Sequence, residues 1–191
     1  MNLTKKTAAL LLALIACACL MTGCSEEKVH EGFFMADAPG ADFIIYLPDG
    51  WESSYASAAL SANPENDHSA SLTMMAAAYS YDEDVANDAE AGTHPIDLYW
   101  CTYKKVLEQT FSDIEYTVAG EETTLGGLPA KRYEYKATIA GDAYCFEQVI
   151  TIKGTFISGA EVYIFTYAAK EASFAKYYDT VGECISFIEL K

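Results

Sequence analysis

Four strand-like segments separated by short turns dominate the second half of the sequence. They are residues 114–118, 132–136, 144–152 and 162–167. The first two alternate apolar with polar side chains, which predicts strands with one buried face. The third places Tyr144, Phe146, Gln148, Ile150 and Ile152 at every second position. The fourth (VYIFTY) is apolar throughout, as expected for a strand that is covered on both faces. Because turns this short join antiparallel neighbours, the series of hairpins predicts an antiparallel sheet.

The first half of the sequence adds further strand candidates. Residues 43–47 are β-branched and aromatic and run into a Pro-Asp-Gly turn. Trp51 follows this turn at once, and we expect it to be buried in the core. Residues 54–62 and 70–79 are weaker strand candidates, and the segment at 63–68 between them has the composition of a loop.

Two segments have helical periodicity instead. One begins at Pro95, a residue that favours the first turn of a helix, with Thr93 or His94 as the N-cap, and it continues to Phe111. Its apolar stripe comprises Ile96, Tyr99, Trp100, Tyr103, Val106, Leu107 and Phe111. The other begins at Glu171, and its stripe comprises Phe174, Tyr177, Tyr178, Val181, Cys184, Ile185 and Ile188. The sequence therefore predicts an α+β fold, a single domain with an antiparallel β-sheet of about six to seven strands flanked by two or more α-helices.

The N-terminus has the composition of an export signal. Two lysines precede an apolar run from Ala8 to Met21, small residues follow, and no acidic residue occurs before Glu26. A helix that spans a bilayer needs roughly 20 apolar residues, so this shorter run favours a signal peptide over a transmembrane helix. We assign residues 1–23 to a signal peptide.

Cys24 makes this signal specific. The sequence MTGC at residues 21–24 resembles the bacterial lipobox, in which the cysteine after the cleavage site accepts a diacylglyceryl group. Cys17 fits a similar pattern, but cleavage before it would leave a very short apolar core. Since more than one acyl chain anchors a protein stably, we expect Cys24 to carry lipid, including palmitate, on the extracytoplasmic face of the cell membrane, or of the outer membrane if the source has one.

The mature chain would comprise residues 24–191, enough for one domain. Loss of residues 1–23 removes two basic residues and no acidic one, so the formal net charge changes from −16 to −18. A negative field of this size argues against nucleic acid as a partner and favours cationic partners or simple solubility. Mixed charge with glycine and proline predicts a tether at 24–41, followed by the folded domain at 42–191.

Three cysteines remain in the domain, Cys101, Cys145 and Cys184. One disulfide with one leftover thiol is compatible with an exported protein, and three reduced, mostly buried thiols are equally compatible. Their spacing matches no zinc motif, in which the ligands come in close pairs. Because Cys101 lies off the apolar stripe of its helix, we expect it to be the least buried of the three.

Three segments occur in an order that is found in a known family. They are FIIYLPDGW at residues 43–51, LGGLPA at 125–130 before a strand, and VYIFTYAA at 162–169 before a terminal helix. Over roughly residues 41–189 the chain resembles the PsbP/Mog1-like group, to which the photosystem II extrinsic subunit and several bacterial lipoproteins belong. The resemblance implies an antiparallel sheet flanked by helices and a role in binding or assembly, and it implies no active site. Members bind different partners, so the fold does not transfer a function.

One acidic segment is a weak candidate for a metal site. Its carboxylates, at Asp82, Glu83, Asp84, Asp88 and Glu90, offer the hard oxygen ligands that Ca²⁺ prefers. The pattern departs from an EF-hand because Asn87 stands where the loop glycine is required. A solvated acidic loop is the simpler interpretation.

The sequence predicts neither an enzyme nor a cofactor site. The three histidines, His30, His68 and His94, do not lie on a patterned face beside a nucleophile. We therefore expect a non-catalytic, membrane-anchored lipoprotein that binds a protein or envelope component, with the lipid bilayer as a further partner through acylated Cys24. The alternative is a lipoprotein that binds a small ligand or Ca²⁺ and acts as a delivery or sensing subunit.

Overall fold

The structure is a computed structural model that describes residues 30–37, 40–56, 59–80, 94–111, 113–155 and 159–191. Met1–Glu31 and Gly32–Lys191 are separate units, and only the last two residues of the first unit are described. Cys24 and the acidic candidates Asp82, Asp84, Asp88 and Glu90 lie outside the described residues. What the sequence predicts for them stays a prediction.

The described residues form ten strands and two helices. In chain order they are β1 (Phe33–Asp37), β2 (Phe43–Pro48), β3 (Trp51–Ala56), β4 (Ala59–Pro64), β5 (Ala70–Tyr79), α1 (Pro95–Thr110), β6 (Glu115–Leu125), β7 (Leu128–Ile139), β8 (Asp142–Thr155), β9 (Gly159–Lys170), α2 (Glu171–Phe187) and β10 (Glu189–Leu190). A seven-stranded sheet has the order β3-β4-β5-β9-β8-β7-β6, and a three-stranded sheet has the order β1-β2-β10. Every pairing is antiparallel, which confirms the predicted α+β fold.

The middle strand, β9, is covered on both faces, as its apolar sequence predicts. Tyr163, Phe165 and Tyr167 belong to a core cluster that includes residues of α2 and β2. Val162 and Ile164 point the other way, into a cluster with Ile96 of α1. The two helices therefore pack on opposite faces of the large sheet, and the small sheet lies on the same face as α2.

Helix α1 begins where the sequence predicts. His94 is its N-cap, and the His94 Nδ1 accepts a hydrogen bond from the backbone N–H of Ile96 at 3.3 Å. Trp100 stacks on Tyr133 of β7, with ring centroids 3.7 Å apart, and Leu107 is buried further along. This aromatic contact fixes α1 on one face of the sheet.

Helix α2 covers the other face. Val181 and Cys184 are fully buried, and Phe174 stacks on Tyr167 with ring centroids 4.8 Å apart. The start of the helix is also held to the β4–β5 turn, because Asp67 accepts hydrogen bonds from Lys176 and Tyr177. Both apolar packing and polar contacts thus hold α2 in place.

Three features of the small elements differ from the sequence prediction. β1 lies within the stretch predicted as a tether at 24–41, so that prediction is wrong for Phe33–Asp37, which gain their hydrogen bonds from β2. The single strand predicted at 54–62 is instead the β3–β4 hairpin. The two-residue strand β10 was not predicted, because only its pairing with β2 defines it.

The predicted burial of the cysteines is confirmed, because Cys184 and Cys145 are buried and Cys101 is the least buried of the three. Of the two alternatives that the sequence left open for them, the structure has three thiols and no disulfide between them. Burial raises the pKa of the Cys184 thiol to about 12, so this side chain acts as a small apolar residue. In the part of the chain that the structure describes, we find no helix that combines the length and apolar character needed to cross a membrane.

Candidate functional site

Arg132 of β7 organises the polar side chains beneath α2. Its Nη1 donates to Glu134 Oε1 at 2.5 Å and to the Tyr178 hydroxyl at 2.8 Å. Its Nε donates to Glu121 Oε2 of β6 at 2.9 Å. Tyr178 in turn donates to Glu134 Oε1 at 3.0 Å. These charge-assisted hydrogen bonds connect β6 and β7 to the middle of α2.

Glu147 of β8 is a buried carboxyl group at the edge of this network. It is 5% exposed and lies directly opposite Glu134 in the β7–β8 register. The distance from Glu147 Oε1 to Arg132 Nη1 is 3.7 Å, which is too long for a good hydrogen bond. One guanidinium that already pairs with two other carboxylates therefore compensates Glu147 incompletely.

Protonation of Glu147 follows from this position. Burial raises the pKa of Glu147 to about 7, against the opposing charge of Arg132, and the negative charge of Glu134 acts in the same direction as burial. Burial and the charge of Glu147 also raise the pKa of Tyr178 to about 12. Tyr178 thus stays a hydroxyl donor at any physiological pH, whereas Glu147 titrates near neutrality.

An open depression of about 360 Å³ lies beside this network on α2. Its lining residues are Glu134, Phe174, Ala175, Tyr178 and Asp179. The walls combine two aromatic rings with two carboxylates. Aromatic faces and carboxylates both attract lysine and arginine side chains, so the geometry suits a cationic group. We call this feature the α2 depression.

A second cavity, of about 340 Å³, lies at the N-terminus of α1. Its lining residues are His94, Ile96, Glu122, Thr123, Pro129, Ala130 and Lys131. The only cation in this lining, Lys131, pairs with Asp97 of α1. Because that positive charge is already neutralised and Glu122 adds a negative one, the cavity does not suit an anion.

The candidate site residues predicted from the sequence are not brought together at either cavity. His94 contributes its Nδ1 to the helix cap, and His68 is an exposed turn residue. Among the described residues, no group of three His, Cys, Asp or Glu side chains could hold a metal ion. The acidic segment with Asp82, Asp84, Asp88 and Glu90 is outside those residues.

Sequence reasoning missed the Arg132–Glu147 pair. The signal was present in β8, where Glu147 and Gln148 are two consecutive polar residues inside an otherwise apolar run. Since neighbouring strand residues point to opposite faces, at least one of them had to be buried. In the structure both are, and Gln148 Nε2 donates to the Tyr103 hydroxyl at 3.0 Å and to Thr166 Oγ1 at 3.1 Å.

Comparison with known proteins bears on the fold. No protein-family model and no curated protein matches the sequence. A solution structure of cyanobacterial PsbP (CyanoP) from Synechocystis sp. PCC 6803 is similar, with 11% identity over 89% of this chain and 99% of that chain and a TM-score of 0.58. LpqN of Mycobacterium tuberculosis, a protein involved in cell envelope biogenesis, is similar over 78% of this chain and 83% of its own, with 15% identity and a TM-score of 0.53. At these identities the similarity concerns the fold alone, and the chain therefore has a PsbP-like α+β fold.

Proposed function

We propose that the protein is a non-catalytic binding domain, anchored by lipid at Cys24 on the extracytoplasmic face of a cell membrane, and that the α2 depression is its docking surface. The α2 depression carries the proposal, because it is an open surface with aromatic and acidic walls backed by a hydrogen-bonded network. The envelope role of the structurally similar LpqN supports the compartment. The signal peptide predicted at residues 1–23 and the resemblance of residues 21–24 to a lipobox support the anchor.

The occupant that fits the α2 depression is a basic segment of a partner protein. Asp179 supplies a carboxylate, Glu134 supplies a second one that already pairs with Arg132, and Phe174 and Tyr178 supply ring faces for the stem and head of a lysine or arginine. The net charge of −18 expected for the mature chain attracts positively charged partners and accelerates their association. The binding should consequently weaken as ionic strength rises.

The first test concerns the lipid anchor. In cells fed a labelled palmitate, the wild-type protein should carry the label and sediment with membranes. The Cys24→Ala variant should lose both properties, because Cys24 provides the thiol that is acylated directly after the predicted cleavage site. Cys17→Ala is the matched control and should keep label and membrane association. A labelled, membrane-bound Cys24→Ala protein would contradict the assignment.

The second test concerns the docking surface. A photo-crosslinking amino acid at the exposed position Ala175 should capture one neighbour in intact cells, and mass spectrometry should map the adduct to a segment rich in lysine and arginine. Adding Asp179→Lys should reduce that adduct at least tenfold, since reversing one wall charge of the α2 depression repels a basic segment.

Glu183→Lys is the matched control for this experiment. It makes the same charge change on the same helix, at an exposed residue that does not line the α2 depression, so the adduct should change less than twofold. Equal loss in both variants would show a general charge effect. An adduct on an acidic or apolar segment would refute the basic occupant.

The alternative function is binding of a small ligand or Ca²⁺ by a delivery or sensing subunit. Its candidate ligands, Asp82, Asp84, Asp88 and Glu90, lie outside the described residues, and no observation within the described part of the chain favours it. It stays a prediction from the sequence.

A further inference from the structure

The two edge strands of the seven-stranded sheet differ in their regularity. Along β6 the register with β7 shifts twice, between Tyr116 and Val118 and between Ala119 and Glu121. Gly120, inside the second shift, has φ +88°, and β6 also carries three glutamates. Bulges and charges of this kind keep a strand edge from pairing with another chain. The β6 edge is therefore protected.

β3, the other edge strand, is regular throughout. All six of its residues pair with β4 without a register shift. Its sequence, WESSYA, contains no proline and a single charged residue, Glu52. Residues 52–54 are exposed in succession. An exposed and regular strand edge with little charge is a template for the pairing of another strand.

The β3–β4 ladder defines which backbone groups of β3 point outward. The backbone N–H of Glu65 donates to the carbonyl oxygen of Gly50 at 2.8 Å, so these two residues form a hydrogen-bonded pair at the end of the ladder. Hydrogen-bonded and non-hydrogen-bonded positions alternate along an antiparallel strand. The N–H and C=O groups of Trp51, Ser53 and Tyr55 therefore point away from β4. Within the described part of the chain, no strand besides β4 pairs with β3, and no turn or loop bonds to these groups.

We propose that the edge of β3 pairs with the β3 edge of a second copy of this chain, in antiparallel orientation around a two-fold axis at Ser53. This inference goes beyond the proposed function and does not depend on it. In this arrangement Ser53 lies opposite Ser53 of the second copy, and Trp51 lies opposite Tyr55. Three hydrogen-bonded pairs would exchange about six backbone hydrogen bonds. The two seven-stranded sheets would become one continuous sheet.

The sequence of β3 selects this register. Sliding one strand by two residues in one direction would place the two Glu52 side chains directly opposite each other, which is destabilising. Sliding it in the other direction leaves only two hydrogen-bonded pairs within β3. With the axis at Ser53, each Glu52 lies opposite Ser54 and every outward backbone group of β3 is paired. A closed two-fold dimer is also the commonest form of oligomer.

The charge of the chain distinguishes this contact from docking at the α2 depression. β3 offers a basic segment only one carboxylate, and two copies of this acidic chain repel each other. Salt screens that repulsion beyond about 8 Å at physiological ionic strength, so the pairing of two copies should strengthen as ionic strength rises. Two six-residue strands also make a small interface beside the roughly 1,200–2,000 Å² of stable complexes. The dimer should therefore dissociate on dilution.

The first test is disulfide cross-linking of the full chain in intact cells. The Cα atoms of a hydrogen-bonded antiparallel pair are about 5.5 Å apart, a distance that a disulfide spans. After treatment with copper phenanthroline, Ser53→Cys should give about tenfold more disulfide-linked dimer on a non-reducing gel than the unmodified chain, which reports the background from the native cysteines. Ser54→Cys is the matched control, because it is the next exposed residue but lies roughly 7–8 Å from its own copy across a diagonal. It should stay near the background.

The second test measures association without a cross-link. Two differently tagged copies of the full chain, expressed together, should co-purify in mild detergent, and the recovered fraction should increase with salt. Ser53→Pro in both copies should lower this fraction about tenfold, since proline lacks the N–H that the second copy requires. Proline is tolerated on an edge strand where its nitrogen faces outward, so the chain should still fold, which circular dichroism checks. Ser53→Ala keeps the N–H and should co-purify as the wild type does.

The outcomes are decisive in both directions. Dimer formation by Ser53→Cys alone, with loss of co-purification in Ser53→Pro, supports the pairing. Equal cross-linking at positions 53 and 54, cross-linking at 54 alone, or adducts of position 53 with a different protein each overturn it. Co-purification that persists in folded Ser53→Pro, or that weakens as salt rises, overturns it as well. The cross-linking result decides alone if Ser53→Pro does not fold.

Discussion

Gly154→Ala is expected to lower the free energy of unfolding by about 3–5 kcal/mol, because two separate costs act at one residue. Gly154 has φ +94°, a conformation that residues with a Cβ rarely adopt, and an added Cβ would lie 2.4 Å from the carbonyl oxygen of Gly159. Backbone atoms cannot rotate away as the end of a flexible side chain can. The β8–β9 hairpin would have to open at its turn.

The position of this hairpin makes the effect global. β9 is the middle strand of the large sheet and β8 is its neighbour, and both strands contribute to the cores under α1 and α2. A distortion at Gly154 changes the pairing of Lys153 with Glu161 next to it. A loss of this size is a large part of the 5–15 kcal/mol that ordinarily stabilises a domain.

Gly141→Ala is the matched control for Gly154→Ala. Gly141 has φ +93°, but an added Cβ there would meet nothing within 4 Å. This variant bears the conformational cost alone, about 1–2 kcal/mol. Urea unfolding of both variants, followed by circular dichroism, measures the difference. Equal losses in the two variants would show that the contact with Gly159 is relieved at no cost.

The sequence predicts the large elements because their signals are local. Alternation in the strand segments, Pro95 at the start of α1 and the apolar stripe of α2 each lie within a short window. β10 escaped prediction because its partner β2 is distant in the chain, and pairing over such a separation leaves little trace in periodicity. β1 escaped prediction because its five residues, FFMAD, do not alternate apolar with polar side chains.

The candidate site could not be predicted for a related reason. Arg132, Glu134 and Glu147 meet only because of the β7–β8 register, in which Glu134 is opposite Glu147, and Tyr178 joins them from α2. A shift of the register by one residue would move Glu147 away from Glu134, although the alternation in each strand would be unchanged. The polar residues can therefore be read from the sequence, but the strand register that brings them together cannot.

Glu147→Gln is expected to remove a pH dependence of stability between about pH 4.5 and 7. In the folded protein the pKa of Glu147 is raised from 4.5 to about 7, so across this interval the folded state holds a proton that the unfolded state has lost. The wild-type protein therefore loses stability as pH rises through this window. The accumulated loss is on the order of 3 kcal/mol at pH 8, since each pKa unit corresponds to about 1.4 kcal/mol.

Glutamine keeps the shape of glutamate at position 147 and cannot ionise, so the variant should escape this loss. Relative to the wild type, its free energy of unfolding should rise by about 3 kcal/mol between pH 4 and pH 8. The control is Glu121→Gln, which also removes a carboxylate that pairs with Arg132, but the Glu121 side chain is 57% exposed. For this variant the free energy of unfolding relative to the wild type should change by less than about 1 kcal/mol between pH 4 and pH 8. Urea unfolding at four or five pH values measures both variants. Parallel curves for the wild type and Glu147→Gln would mean that Arg132 compensates the Glu147 charge fully, and that the contact between α2 and the sheet is insensitive to pH.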